Sequence, residues 1–263
     1  MNSSPSTANR SIWDEIQCQA VAAAKAEPIM TAWLHEAVLT HANFANSLSH
    51  LIATATKGSR NDQALIRQTA ERVYCDDPSL IETAIRDLHA PIERDPACSG
   101  PLHVLLYFKG YIALQAHRIS NRLWKRRQSD FAKKLHSCIT HALHVSIHPS
   151  ATIGDSLFID HGTGVTVGEN VIIDEGVSML QEVTLSSLLD GSVGAPRIGR
   201  GVLLSAGATV LGDVEIGDFA KIGAGSLVLT SVPSGYTAVG VPARLVGRTS
   251  NPRPALSMEQ SLP

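Results

Sequence analysis

Ile147-His148-Pro149-Ser150-Ala151-Thr152-Ile153-Gly154-Asp155-Ser156-Leu157-Phe158-Ile159-Asp160 opens a stretch that repeats every six residues as far as Val228. Down one column stand Ile147, Ile153, Ile159, Val165, Val171, Val177 and Val183; after an interruption come Ile198, Leu204, Val210, Ile216, Ile222 and Val228. A period of six matches neither the 3.6 of a helix nor the 2 of a strand. It matches a short strand plus a turn, repeated, which is the hexapeptide signature of a parallel β-helix. Each aliphatic residue points inward onto its equivalent in the next coil. Gly and Asp, as in Ile153-Gly154-Asp155 and Ile216-Gly217-Asp218, supply the corners. Between Val183 and Ile198 the spacing is fifteen, three more than two hexads, so 186–197 must leave the coil as a loop. Loops of this kind escape the stacking constraint and commonly carry function.

Upstream of the repeat the pattern is helical and Ala-rich. Ser11 is placed to cap a first helix, Pro28 to open a second, and Phe44, Leu48, Leu51 and Ile52 form an amphipathic stripe. Further helices are expected over roughly 62–74 and from Asp77-Pro78 to Leu88. Two prolines make 90–96 a loop, and helices are then expected over 101–124 and 129–140. This divides the chain into a disordered 1–10, an α-helical domain over 11–142, a β-helix over 143–247 carrying the loop 186–197, and a mobile tail over 248–263. The fold class is α+β.

Composition excludes several functions. The 22 basic and 24 acidic residues nearly cancel, so no electrostatic capture of nucleic acid or an anionic membrane is expected. No run of 18 apolar residues and no secretory leader pattern occurs, which points to a cytoplasmic protein. Cys18, Cys75, Cys98 and Cys138 are widely spaced with no CxxC pair, so no metal site is expected. The Lys125-Arg126-Arg127 triplet suits a solvated helix end.

Chemistry concentrates in Asp160-His161-Gly162-Thr163-Gly164. These residues follow an inward position, so the Asp160 and His161 side chains face out at a corner, with glycines that let a ligand approach the backbone. An imidazole, whose ordinary pKa is about 6.5, suits a general base at neutral pH. From position alone a surface histidine on a turn fits somewhat better, because the chain has eleven histidines, and His148, with the same ambiguity, reads as structural.

The runs 147–154, 160–164, Val167-Gly168-Glu169, Gln181-Glu182-Val183-Thr184-Leu185 and 238–247 resemble bacterial serine acetyltransferases. So do Glu93-Arg94-Asp95-Pro96-Ala97 and 105–118 of the helical part. The resemblance implies a left-handed β-helix behind a helical bundle, with acetyl-CoA as co-substrate and L-serine as acceptor, in the first step of cysteine biosynthesis from serine. It also implies a homotrimer or a dimer of trimers, with active sites between neighbouring β-helices. His161 matches the family's catalytic base, Asp95 and Asp160 its carboxylates for the substrate amine. Ala206, Gly207, Ala224 and Gly225 match the surface along which the pantetheine arm lies.

Three departures surround the acceptor side. The family's aspartate before Ile-His-Pro is Ser146 here, which cannot stabilise an imidazolium as a carboxylate does. The family's loop grips the substrate carboxylate with an Arg and a His. Here it reads Ser192-Val193-Gly194-Ala195-Pro196, with neither. The Gly-Gly after Thr-Leu is Ser186-Ser187. Three readings follow: a serine acetyltransferase in which Arg197 or another cation binds the carboxylate, an acyltransferase for an acceptor lacking a carboxylate, or a non-catalytic trimeric homologue. The C-terminal Ile that anchors the family to its sulfhydrylase partner is absent, so no tight complex of that type is expected.

Overall fold

The computed structural model describes residues 7–188 and 194–262. The helical part runs α1 (Thr7–Ala26), a broken helical segment over Pro28–Leu39, α2 (Phe44–Ala55), α3 (Arg60–Asp76), α4 (Ser79–Arg94), α5 (Pro101–Tyr107), α6 (Lys109–Lys125) and α7 (Ser129–Leu143). Asn43 caps α2 by accepting from the Asn46 N–H, and Ser59 caps α3 by accepting from Asp62. α1 begins at Thr7, upstream of the Ser11 cap the sequence suggests, so of the residues 1–10 expected to be disordered 7–10 are helical, and 1–6 lie outside the described residues.

Two helical boundaries differ from expectation with consequences for the site. α4 does not stop before Ala90-Pro91 but continues through Pro91 to Arg94. Proline in a helix interior removes one hydrogen bond at a cost of ~3 kcal/mol, and tertiary contacts on both sides of Pro91 hold the helix. Before it, the fully buried Asp87 accepts from Arg118 Nε (2.6 Å) and Nη2 (2.9 Å), from Gln115 Nε2 (2.8 Å) and from the Leu157 N–H (3.2 Å). After it, Arg94 Nη1 donates to Ser178 Oγ (3.0 Å) and the Val177 carbonyl (3.3 Å). The single helix expected over 101–124 breaks at Phe108, so α6 starts afresh at Lys109.

Among the described residues fifteen short strands follow in three sheets. Sheet A stacks β1 (Val145–Ile147), β4 (Val165–Val167), β7 (Thr184–Ser186), β10 (Thr209–Leu211) and β13 (Leu227–Val228). Sheet B stacks β2 (Thr152–Ile153), β5 (Ile172–Ile173), β8 (Arg197–Ile198) and β11 (Glu215–Ile216). Sheet C stacks β3 (Phe158–Ile159), β6 (Ser178–Met179), β9 (Leu203–Leu204), β12 (Lys221–Ile222) and β14 (Tyr236–Gly240), closed by antiparallel β15 (Ala243–Arg248). The result is a left-handed parallel β-helix with three faces.

The register corrects the repeat as read from sequence. Ile147 stacks on Val167, Leu185, Val210 and Val228, not on Val165 or Val183. Ile153 stacks on Ile173 and Ile198, and Ile159 on Met179 and Leu204. Val165, Val171, Val177 and Val183 are buried all the same, because a second inward position lies two residues before each stacked one. The column slips because Ile159 and Val167 are eight residues apart where six would close the turn. Two extra residues therefore sit in the corner containing His161. The loop insertion is larger than the sequence suggests: Leu185 and Ile198 are thirteen positions apart where one hexad is six, so seven residues are added and not three.

The tail expected to be mobile packs on sheet C. Pro254 and Ala255 of α8 (Pro254–Ser257) are buried, and the Ala255 carbonyl accepts from Ser178 Oγ at 2.8 Å. The physical reason is the outward ladder of sheet C, where Ser178, Leu203, Lys221 and Thr237 need cover; the Lys221 ammonium donates to the Ser261 carbonyl.

Candidate active site

The corner from sheet C to sheet A is where the sequence candidates meet. In its uppermost turn His161, Gly162 and Gly164 all take positive φ (55°, 72° and 76°), a conformation that bulges the chain outward and that glycine adopts at no steric cost. The His161 side chain is 74% exposed, and its Nε2 lies 3.9 Å from Asp160 Oδ1. The bulge is tied down by Gly162 N–H to the Asp160 carbonyl (2.6 Å) and Gly164 N–H to the His144 carbonyl (2.8 Å).

Two helices reach this corner. Asp95 forms the C-cap of α4: its N–H bonds the Pro91 carbonyl at 2.8 Å, and its Oδ1 accepts from the Ala97 N–H at 2.8 Å. The Asp160 carboxyl is held above its ordinary pKa by burial first, and by the neighbouring Asp95 charge; His161 and its own N–H act the other way. A second carboxylate and a desolvated site disfavour the charged form, so a cation between Asp95 and Asp160 relieves both. From the other side α6 brings Lys109, whose ammonium donates to Thr163 Oγ1. Gly110 permits this approach. A Cβ there would stand 2.2 Å from the Ile159 carbonyl oxygen, which no side chain tolerates.

Below His161 the same corner descends coil by coil. Glu182 N–H bonds the Thr163 carbonyl (2.8 Å), Gly207 N–H the Gln181 carbonyl (2.9 Å) and Gly225 N–H the Ala206 carbonyl (2.8 Å). Ala206, Gly207, Ala224 and Gly225 therefore lie in one line beneath His161. Adjacent strands are ~4.8 Å apart, so the fourth coil is about 14 Å from the first. A Cβ on Gly225 would meet nothing within 4 Å, so this end of the line is open.

Other candidates are placed elsewhere. Ser146 Oγ lies 3.0 Å from His136 Nε2, so the residue at the family's aspartate position is engaged with a second histidine. His148 is structural: its Nδ1 bonds Ser150 Oγ (2.8 Å), Trp124 packs against its ring, and burial lowers its pKa. The loop leaves from the corner between sheets A and B, the far edge of sheet A from His161; Ser186 pairs with Leu211, and residues 189–193 lie outside the described residues. Among the described residues no cluster of metal-ligating side chains occurs and no helix is long and apolar enough to cross a membrane. Lys109 and Gly110 were not singled out in the sequence. A glycine at the second position of a helix, where it costs stability, is the signal that marks them.

The family description "Serine acetyltransferase, N-terminal" matches residues 12–116, and a bacterial transferase hexapeptide description matches 195–230. A serine acetyltransferase of Escherichia coli K12 is 40% identical over 95% of this chain and 92% of its own. The chain belongs to the serine acetyltransferase family. Two solved serine acetyltransferases share its architecture. One, from Brucella abortus in complex with coenzyme A, has a TM-score of 0.88 at 37% identity over 91% of this chain and 96% of that one. Another, from soybean and complexed with serine, has a TM-score of 0.86 at 43% identity over 90% of this chain and 98% of that one. Membership agrees with the helical domain lying ahead of the hexapeptide repeats.

Proposed function

We propose that this serine acetyltransferase family member transfers the acetyl group of acetyl-CoA to the hydroxyl of L-serine, with His161 as general base. The observation that carries the reading is the meeting of Asp95, Asp160 and an exposed imidazole at the head of one line of small residues. Asp95 and Asp160 bind the serine ammonium, which offsets their mutual repulsion and holds the hydroxyl beside His161. His161 takes the hydroxyl proton as the serine oxygen bonds to the thioester carbonyl carbon. The carbon–sulfur bond then breaks, and the CoA sulfur leaves as a thiol with the proton returned from His161. The pantetheine arm lies along Ala206, Gly207, Ala224 and Gly225, where larger side chains would block it. The same reading takes the working assembly to be a cytoplasmic trimer or a pair of trimers, because the loop and His161 sit at opposite edges of sheet A.

The second reading, an acceptor without a carboxylate, is favoured by one observation: Ser186–Pro196 contains no cation. Thiol release from acetyl-CoA with L-serine, comparing wild type and His161→Ala, tests the first. Turnover dependent on L-serine, reduced by 10²–10⁴-fold or more in the variant, is expected for loss of a general base. Turnover only with amino alcohols would transfer the assignment to the second reading.

A further inference from the structure

If L-serine is the acceptor, its carboxylate needs a cation, and the loop 186–197 offers only Arg197 at its end. Arg197 stands on the outer side of sheet B, in register with Ile172 and Glu215. Within the chain that face is opposite the corner carrying His161. Lys109 stands at that corner. Its ammonium donates to Thr163 Oγ1, two residues from His161. Among the described residues no carboxylate pairs with it. A lysine ammonium has three donors, and Thr163 takes one. Two remain for a ligand, on a side chain whose helix is seated against the corner through Gly110.

We propose that Lys109 binds the carboxylate of the acceptor and thereby sets the preference for an amino acid over an amino alcohol. The inference rests on the serine reading above. It completes a three-point grip: ammonium at Asp95 and Asp160, carboxylate at Lys109, hydroxyl at His161. Lysine acts here as a compact point charge where the family's arginine acts as a planar fork. The negative groups facing the same corner are Asp95 and Asp160 at its head and Glu182 one coil below. A neutral residue at 109 would leave an incoming carboxylate facing them alone.

The test is steady-state kinetics with L-serine and with 2-aminoethanol, its counterpart lacking the carboxylate, for wild type, Lys109→Met, Lys109→Arg and Arg197→Met. Wild type should favour L-serine in kcat/KM. In Lys109→Met the ratio of L-serine to 2-aminoethanol should fall on the order of 10- to 100-fold, the usual effect of losing a charged hydrogen bond. The change should reside in the KM for L-serine and not in the KM for acetyl-CoA. Lys109→Arg should restore most of the ratio. An unchanged ratio in Lys109→Met, an equal loss on both acceptors, or collapse of the ratio in Arg197→Met alone would each overturn the proposal while leaving serine acetylation intact. A wild type that prefers 2-aminoethanol would instead overturn the serine reading, and this inference with it.

Discussion

Asp160 lies next to His161 in sequence and carries a cost. Its carboxyl is half-buried and faces Asp95, so folding raises its pKa. A carboxyl whose folded pKa is raised adds stability below its unfolded pKa, and that contribution is lost as pH rises through the folded value. At neutral pH the ionised Asp160 therefore destabilises the empty protein. Asp160→Asn keeps the shape and removes the charge. It should melt at a higher temperature than wild type at pH 8, and the gap should close as pH falls toward about 4, the ordinary range of the group. The same variant should show a raised KM for L-serine, because the ammonium loses one of its two anions. Melting curves across pH check the first expectation; a gap independent of pH, or a less stable variant at pH 8, would count against it. On the proposed role of Asp160, function here is held at the expense of stability, the common condition of binding sites.

At the scale of elements, the site is made by two helix ends docked on one corner. Gly110→Ala separates propensity from packing. In a helix interior the change to alanine is worth about 1 kcal/mol in its favour. Against that stands a Cβ placed 2.2 Å from the Ile159 carbonyl oxygen and 2.9 Å from its Cβ, neither of which is the end of a flexible chain. Overpacking of this kind costs about 1–3 kcal/mol or more, so packing wins and the variant should unfold earlier. Because α6 carries Lys109, serine KM should also rise more than acetyl-CoA KM. A more stable variant with unaltered kinetics would show that the helix does not bear on the corner. These elements also show what the sequence reveals. The hexad period and the outward-facing His161 are legible because both follow from the repeat of short strand plus corner, which local sequence encodes. The slip from Val165 to Val167 is not, since both residues are aliphatic and both are buried. Nor is the continuation of α4 through Pro91. Local propensity opposes it, and the partners that enforce it, Arg118 and Ser178, come from 31 and 84 residues further along the chain.

At the scale of the whole molecule, the question is which chain supplies which half of the site. His161 and the line Ala206, Gly207, Ala224, Gly225 share one corner of one chain, joined by the ladder from Thr163 to Gly225. The loop 186–197 departs from another corner, so the proposed assembly brings a neighbour's loop to it. This makes complementation informative. Chains bearing His161→Ala lack the base, and chains bearing Ala224→Trp fill the exposed end of the donor line. If base and donor line serve the same site from the same chain, every site in a mixed trimer inherits one defect or the other. Mixed trimers made by co-expression should then stay as inactive in thiol release as the two parents. The alternative, a donor line serving a site whose base comes from the adjacent chain, gives some sites an intact base above an intact line and restores part of the activity. Recovery well above both parents would therefore reassign the donor line to the neighbouring chain's site, while the His161 corner itself would keep its role.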